Sequence, residues 1–215
     1  MKQNLSKYQL FIFDWDGTLS TSSFLVRLSR LFKLRYSPEY IKKHHERYAN
    51  ETDYRNIKKR ETSNAIYSGI YDLYSTFAAQ ELRPHAKEVL LKLKKLNKKI
   101  AVFSDSNSYR LVSEIKKLGV VDSFDLIISA QEIGYYKPDP TGLLSIIDRL
   151  KVRKEESIYF GDMASDILTA RFAGISSCAV SGGLDPLKFL EVEKPDYLVQ
   201  GFEEILGALE ERRGK

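Results

Sequence analysis

The sequence predicts an α/β fold: a mostly parallel sheet with helices on both faces, interrupted once by an all-helical insert. Three observations carry this. Short apolar runs alternate with amphipathic stretches along most of the chain, as expected of βα units whose strands are buried on both faces. Between about residues 20 and 82 the rhythm breaks, helical spacing recurs and no convincing strand is seen. Polar residues gather where several apolar runs stop, and sites in open α/β sheets lie beyond the carboxyl ends of the strands.

The elements follow in order. Leu10-Phe11-Ile12-Phe13 is a first strand that stops at Asp14-Trp15-Asp16-Gly17-Thr18. Phe24, Leu25, Leu28, Leu31 and Phe32 share one helix face, and Ser37-Pro38 reads as an N-cap followed by proline at the first helical position. Asp53 starts a further helix with Ile57, Ile66 and Ile70 on its apolar side. After Pro84, Val89, Leu90, Leu93 and Leu96 mark a helix, and Ile100 to Phe103 a strand. Leu111, Val112, Ile115 and Leu118 form a helix face stopped by Gly119. Strands are then expected at 126–128, 158–160, 178–180 and 197–199, with helices at 143–150, 167–172, 187–190 and 205–209. The result is a Rossmann-like core built from 1–19 and 83–215, with a helical domain over 20–82 inserted after the first strand.

Composition bounds the rest. A chain of 215 residues with 43% hydrophobic and 12% aromatic residues can bury a sizeable core and is not dominated by disorder. The single Cys178 excludes an intramolecular disulfide framework and a cysteine-based zinc site, and points to a reducing compartment. The first apolar run is too short for a signal segment, and no twenty-residue apolar stretch follows. A soluble cytoplasmic protein without a membrane partner is expected. The net charge of +5 is too small to establish nucleic-acid binding by itself.

The strand ends carry the chemistry. The first offers Asp14 and Asp16, the second Ser104-Asp105-Ser106-Asn107, and the fourth Gly161-Asp162 with Asp166 four residues on. Lys137 lies in Tyr136-Lys137-Pro138-Asp139-Pro140, after the third. Each piece alone is ordinary: Asp-x-Asp-Gly is usually a turn, serine after a strand usually a helix cap, Lys-Pro usually a loop. Together and in this order they match the four motifs of the haloacid dehalogenase superfamily. The chain resembles the phosphatase branch with a helical cap of the C1 type inserted after the first motif, the group that contains phosphoglycolate phosphatases. Pro84 fits the proline that opens the return to the core in those proteins. His85 stands where glycine is common, and Asp105 replaces the asparagine that often follows the hydroxyl residue.

The resemblance implies roles. A carboxylate nucleophile divides phosphate-ester hydrolysis into two steps through an aspartyl-phosphate, and Asp14 would be that nucleophile. Asp16 would protonate the leaving oxygen and later deprotonate water; i/i+2 spacing keeps both acids on one side of the strand end. Mg²⁺ suits oxygen ligands beside a phosphate, and would take Asp14, the backbone carbonyl of Asp16, and Asp162, with Asp166 orienting it. Ser104 would donate to a phosphoryl oxygen within a phosphate-binding turn that includes Asp105 and Ser106, and Lys137 would neutralise Asp14 and the phosphoryl group. The implied substrate is a small phosphorylated metabolite. Phosphoglycolate is the first guess, with a sugar phosphate, a nucleotide or pyrophosphate close behind.

Rival readings differ in definite ways. A dehalogenase of this superfamily lacks the second aspartate, whereas Asp16 is present. A β-phosphoglucomutase-like enzyme keeps both and stays open. Receiver domains combine similar residues but are shorter and lack the insert. A nucleic-acid-binding protein using the basic insert is the least favoured. A monomer or homodimer is expected. Among other residues, Cys178 reads as core, and Trp15 is expected to point away from its flanking aspartates and pack. His44 and His45 are adjacent and make a poor metal pair, and His85 reads as local packing or capping. Seven of the 13 tyrosines fall between Tyr36 and Tyr74, which reads as packing between short helices.

The positive charge is concentrated. Residues 27–60 hold 11 Lys or Arg against four Asp or Glu, a balance of +7, so the rest of the chain carries −2. A cationic cap facing a carboxylate-rich rim would draw anionic substrates in. Neutralising Lys58, Lys59 and Arg60 is expected to lower kcat/KM in a salt-dependent way without loss of the fold. An unchanged kcat/KM at low ionic strength would assign those charges to solvent.

Overall fold

Alternation of side chains along each apolar run gives the sheet its two buried faces. A computed structural model of the protein describes residues 5–21 and 80–209. In β1 (Leu10–Phe13), Phe11 and Phe13 enter one core cluster while Leu10 and Ile12 enter another. The same division recurs in β4 (Lys99–Ser104), with Ile100 and Val102 on one side and Ala101 and Phe103 on the other. It recurs again in β6 (Ser157–Gly161), where Ile158 and Phe160 oppose Tyr159. Strands buried on both faces need apolar residues at every position, which is why these runs are continuous in the sequence.

The sheet is completed by β5 (Leu126–Ser129), β7 (Ser176–Val180) and β8 (Tyr197–Val199). Its order is β5-β4-β1-β6-β7-β8, with every pair parallel. On one face lie α1 (Ala86–Lys95), α2 (Ser108–Lys117) and α7 (Phe202–Leu209), through Val89, Leu93, Leu111, Ile115 and Ile205. On the other lie α4 (Thr141–Leu150) and α5 (Ala164–Ala173), through Leu143, Ile146, Ala170 and Ala173. Short helices α3 (Ala130–Ile133) and α6 (Leu187–Val192) fill the loops after β5 and β7. The Phe13 and Phe160 rings stack at 4.7 Å between centroids, fastening the two central strands just below the site.

The strands and helices expected outside residues 20–82 are all present, and Cys178 is buried in β7. The structure corrects one expectation. Two strands lie within residues 20–82: β2 (Ser20–Thr21) pairs antiparallel with β3 (Glu81–Leu82). Two-residue strands are too short to show a period, and Glu81 is exposed, so no apolar pattern betrays them. Apart from these ends, the expected helical cap lies outside the described residues, as do His44 and His45. His85 precedes α1 with φ +61° and makes no capping hydrogen bond through its side chain, although Glu88 lies 3.7 Å away.

Gly142, in α4, sits where the helix meets β4. A Cβ there would come within 2.2 Å of the buried Phe103 ring. Gly142→Ala is therefore expected to destabilise the protein by about 1–3 kcal/mol through overpacking. Urea denaturation checks this, and a midpoint equal to that of the unsubstituted protein would show that α4 can move away at no cost.

Candidate active site

The strand order makes β1 the point from which the chain winds outward in both directions, through β4 and β5 on one side and β6 to β8 on the other. A crevice opens at such a switch point, beyond the carboxyl ends. The register places the ends of β1, β4 and β6 side by side, with Phe13 opposite both Val102 and Phe160. Asp14 follows β1 directly, its amide donating to the Phe160 carbonyl at 2.8 Å. Ser104 closes β4 and Asp162 follows β6.

Three carboxylates meet there. Oxygens of Asp14, Asp162 and Asp166 all lie within 4.8 Å of one another, and all three residues are buried. Lys137, brought in by the loop between α3 and α4, donates through Nζ to Asp14 Oδ1 at 2.7 Å and to Asp166 Oδ1 at 2.6 Å. Neutral donors also serve Asp162 and Asp166. Thr18 donates to Asp162 Oδ1 at 2.8 Å, and the Leu184 amide to Asp162 Oδ2. Tyr159 donates to Asp166 Oδ1 at 3.2 Å, and the Met163 amide to Asp166 Oδ2 at 2.9 Å. Gly17 has φ +87°, and a Cβ on it would come within 2.3 Å of Asp162. A Cβ on Gly183 would come within 2.1 Å of the same carboxylate. Both glycines are needed so that backbone can close around the acid.

The balance of charge is unfavourable without a further cation. Burial pushes Asp14 well above the usual carboxylate range, and Asp166 and Asp162 add to this against the pull of Lys137. Burial and Asp166 together raise Asp162 to about 7. Burial alone would lower Lys137, but Asp14 and Asp166 outweigh it and hold the ammonium well above its ordinary value. Three acids facing one ammonium, with hard oxygen donors and no competing sulfur or imidazole in the cluster, suit a divalent cation.

Asp16 lies apart from the three clustered acids. Its carboxylate accepts from the Arg110 guanidinium, at 3.0 Å on Oδ1 and 2.6 Å on Oδ2, and from the Ser106 hydroxyl. Ser104 Oγ donates to Ser106 Oγ at 3.0 Å, so the two serines form one hydroxyl chain leading to Asp16. Asp105 turns to the other side and accepts from the Lys137 amide at 3.1 Å. The expected residues thus collect at one rim. Asp14, Asp162, Asp166 and Lys137 form one cluster, Asp16, Ser104 and Ser106 a second, and Asp105 ties the Lys137 loop to β4.

Trp15 is fully buried and donates through Nε1 to Glu114 at 2.8 Å. Sequence reasoning missed Arg110, Glu114, Tyr159 and Arg83. Arg110 and Glu114 had one available signal: i,i+4 spacing one position before Leu111 and Ile115, on the edge of the apolar stripe. Arg83 donates to the Gly17 and Ser181 carbonyls at 3.0 and 2.6 Å, joining the β3 exit to the first-motif turn.

The profile of the haloacid dehalogenase-like hydrolase family matches residues 11–180. The chain belongs to this family. It is 32% identical over 126 residues to a protein from Caldanaerobacter subterraneus subsp. tengcongensis that bears the name of the pyrophosphatase PpaX, covering 59% of this chain. It is 29% identical over 147 residues to a phosphoglycolate phosphatase of Pectobacterium atrosepticum, covering 68% of this chain. The chain spans 57% and 61% of the length of these two relatives. A haloacid dehalogenase-like chain from Bacteroides fragilis of solved structure is 27% identical, with a TM-score of 0.67 over 92% of this chain and 99% of that one. The family's parallel sheet with helices on both sides is the fold described above. No helix among the described residues is long and apolar enough to cross a membrane.

The raised carboxyls give stability a defined pH dependence. Asp162 binds its proton more tightly when folded, at about 7, than its ordinary value of 3.8 allows when unfolded. Asp14 shifts the same way. The folded state therefore holds more protons across this window, and its stability falls as pH rises through it. In EDTA, urea midpoints are expected to drop between about pH 5 and pH 8, with a flatter profile for Asp162→Asn. A midpoint that rises over this range would contradict the electrostatics described.

Proposed function

We propose that the protein is a Mg²⁺-dependent phosphatase that hydrolyses a small phosphorylated metabolite through an aspartyl-phosphate on Asp14. The observation that carries this reading is the placement of Asp14 at a strand end, against Lys137 and two further carboxylates, in a chain of this hydrolase family. An Asp14 oxygen attacks phosphorus as the bond to the leaving oxygen breaks, and Asp16 gives that oxygen a proton. Water then attacks the aspartyl-phosphate, Asp16 takes the water's proton, and inorganic phosphate leaves with Asp14 regenerated. Lys137 screens Asp14 from the anionic substrate, and Ser104 donates a hydroxyl hydrogen bond to the transferred group. Asp14, Asp162 and the Asp16 carbonyl would hold Mg²⁺, with Asp166 orienting it, and the ion would supply the positive charge that the buried acids and the phosphoryl oxygens require.

The names of two relatives support pyrophosphate and phosphoglycolate as the first substrates to consider. Pyrophosphate and phosphoglycolate are both small, and both attach the phosphoryl group to a second anionic group. The excess of +7 in residues 27–60 supports an anionic substrate. We assign the protein to this class, acting in the cytoplasm.

Hydrolysis of phosphoglycolate and pyrophosphate, followed by phosphate release, is the test. Activity should vanish in EDTA and return with Mg²⁺, and Asp14→Asn should lose about a thousandfold or more in kcat. Full activity in Asp14→Asn would refute the covalent route.

A further inference from the structure

Arg110 is a buried charged group to which the proposed reaction gives no role. Arg110 is 7% exposed and makes two kinds of ion pair. Its guanidinium donates through Nη1 to Asp16 Oδ1 and through Nη2 to Asp16 Oδ2, both ends of the fork gripping one carboxylate. Nη1 also donates to Glu114 Oε1 at 3.0 Å, one helical turn along α2. Glu114 accepts from Trp15 on its other oxygen. Trp15 precedes Asp16 in the chain, so Asp16, Arg110, Glu114 and Trp15 form a closed ring that ties the turn after β1 to α2. Ser106 completes the grip, donating to Asp16 and accepting from Arg110.

Stability alone is a poor reason for such a ring. Removing charges from water costs several kcal/mol per ion, and well-packed apolar residues often do as well. A bidentate fork does supply direction: a planar guanidinium fixes both the position and the rotation of the carboxylate it binds. Asp16 needs direction, because the acid two residues before it is held by a different cation. Lys137 pairs with Asp14 at 2.7 Å, whereas Asp16 pairs with Arg110 at 2.6 Å.

We infer that Arg110 is the positioning residue for Asp16, holding its carboxylate beside Ser104 and Ser106 and out of the Lys137 cluster. The inference rests on the phosphatase reading, in which Asp16 passes a proton to the leaving oxygen as the P–O bond breaks. Arg110 itself touches neither substrate nor proton.

Leaving-group dependence separates this role from a structural one. Phenyl phosphate needs its leaving oxygen protonated, whereas 2,4-dinitrophenyl phosphate does not, and kcat/KM reports only the steps up to the aspartyl-phosphate. Arg110→Lys keeps the charge and loses the fork. It is expected to lower kcat/KM about 10- to 100-fold on phenyl phosphate and less than about threefold on the dinitrophenyl ester. Glu114→Gln, which only loosens the anchor of Arg110, should show the same selectivity with a smaller loss, and covers the case in which Arg110→Lys fails to fold. Equal losses on both esters, or no loss on either, would overturn the positioning role while leaving the phosphatase intact. Failure of the unsubstituted protein to hydrolyse either ester would remove the phosphatase reading and the role of Arg110 with it.

Discussion

Lys137 holds two buried carboxylates at once, and most of the rim follows from that. An ammonium taken out of water is tolerable only against opposite charge at short range, and Asp14 and Asp166 supply it at 2.7 and 2.6 Å. Asp14 follows β1 and Asp166 lies in the first turn of α5, the helix after β6, so β1 and β6 must be adjacent, as the register shows. Lys137 comes from a third loop, so the connection after β5 must return over the sheet, and Asp105 holds it there through the Lys137 amide. Asp162 then becomes a further acid in a crowded space. It is accommodated by a hydroxyl, an amide and two glycines that let backbone close around it. Fold and site are thus one electrostatic problem.

The sheet was legible because burial on both faces writes itself into the sequence as unbroken apolar runs. The four motifs were legible because their residues stand where such runs stop. Hydrophobic patterning could not reveal the Arg110–Glu114 pair. Arginine and glutamate four apart on a helix usually mark a solvated face, and only the approach of Trp15 and Asp16 from another element buries these two. Tyr159 read as an apolar strand residue, although its hydroxyl reaches Asp166 and the Phe103 carbonyl. The β2–β3 ribbon escaped because its pairing is set by where the chain leaves and rejoins the core, which has no local signature.

The two acids after β1 are only two residues apart, yet they have different partners. Asp14 faces Lys137 and the acidic cluster, while Asp16 faces Arg110 and a pair of serine hydroxyls. Separate cations keep neighbouring carboxylates from competing for one site, which lets a short segment supply two chemically distinct groups. Trp15, the residue between them, is buried and anchored to Glu114, which fixes the turn that carries both acids.

The ribbon of β2 and β3 bears on how the chain can vary. Thr21 and Glu81 are paired partners, and the Arg83 amide donates to the Leu19 carbonyl just beyond them. The points where the chain leaves the core after Thr21 and rejoins it at Glu81 are therefore joined by hydrogen-bonded pairing. The entropy of closing a loop grows only with the logarithm of its length. A change in the number of residues between Thr21 and Glu81 therefore alters the entropy of closing this ribbon only slightly.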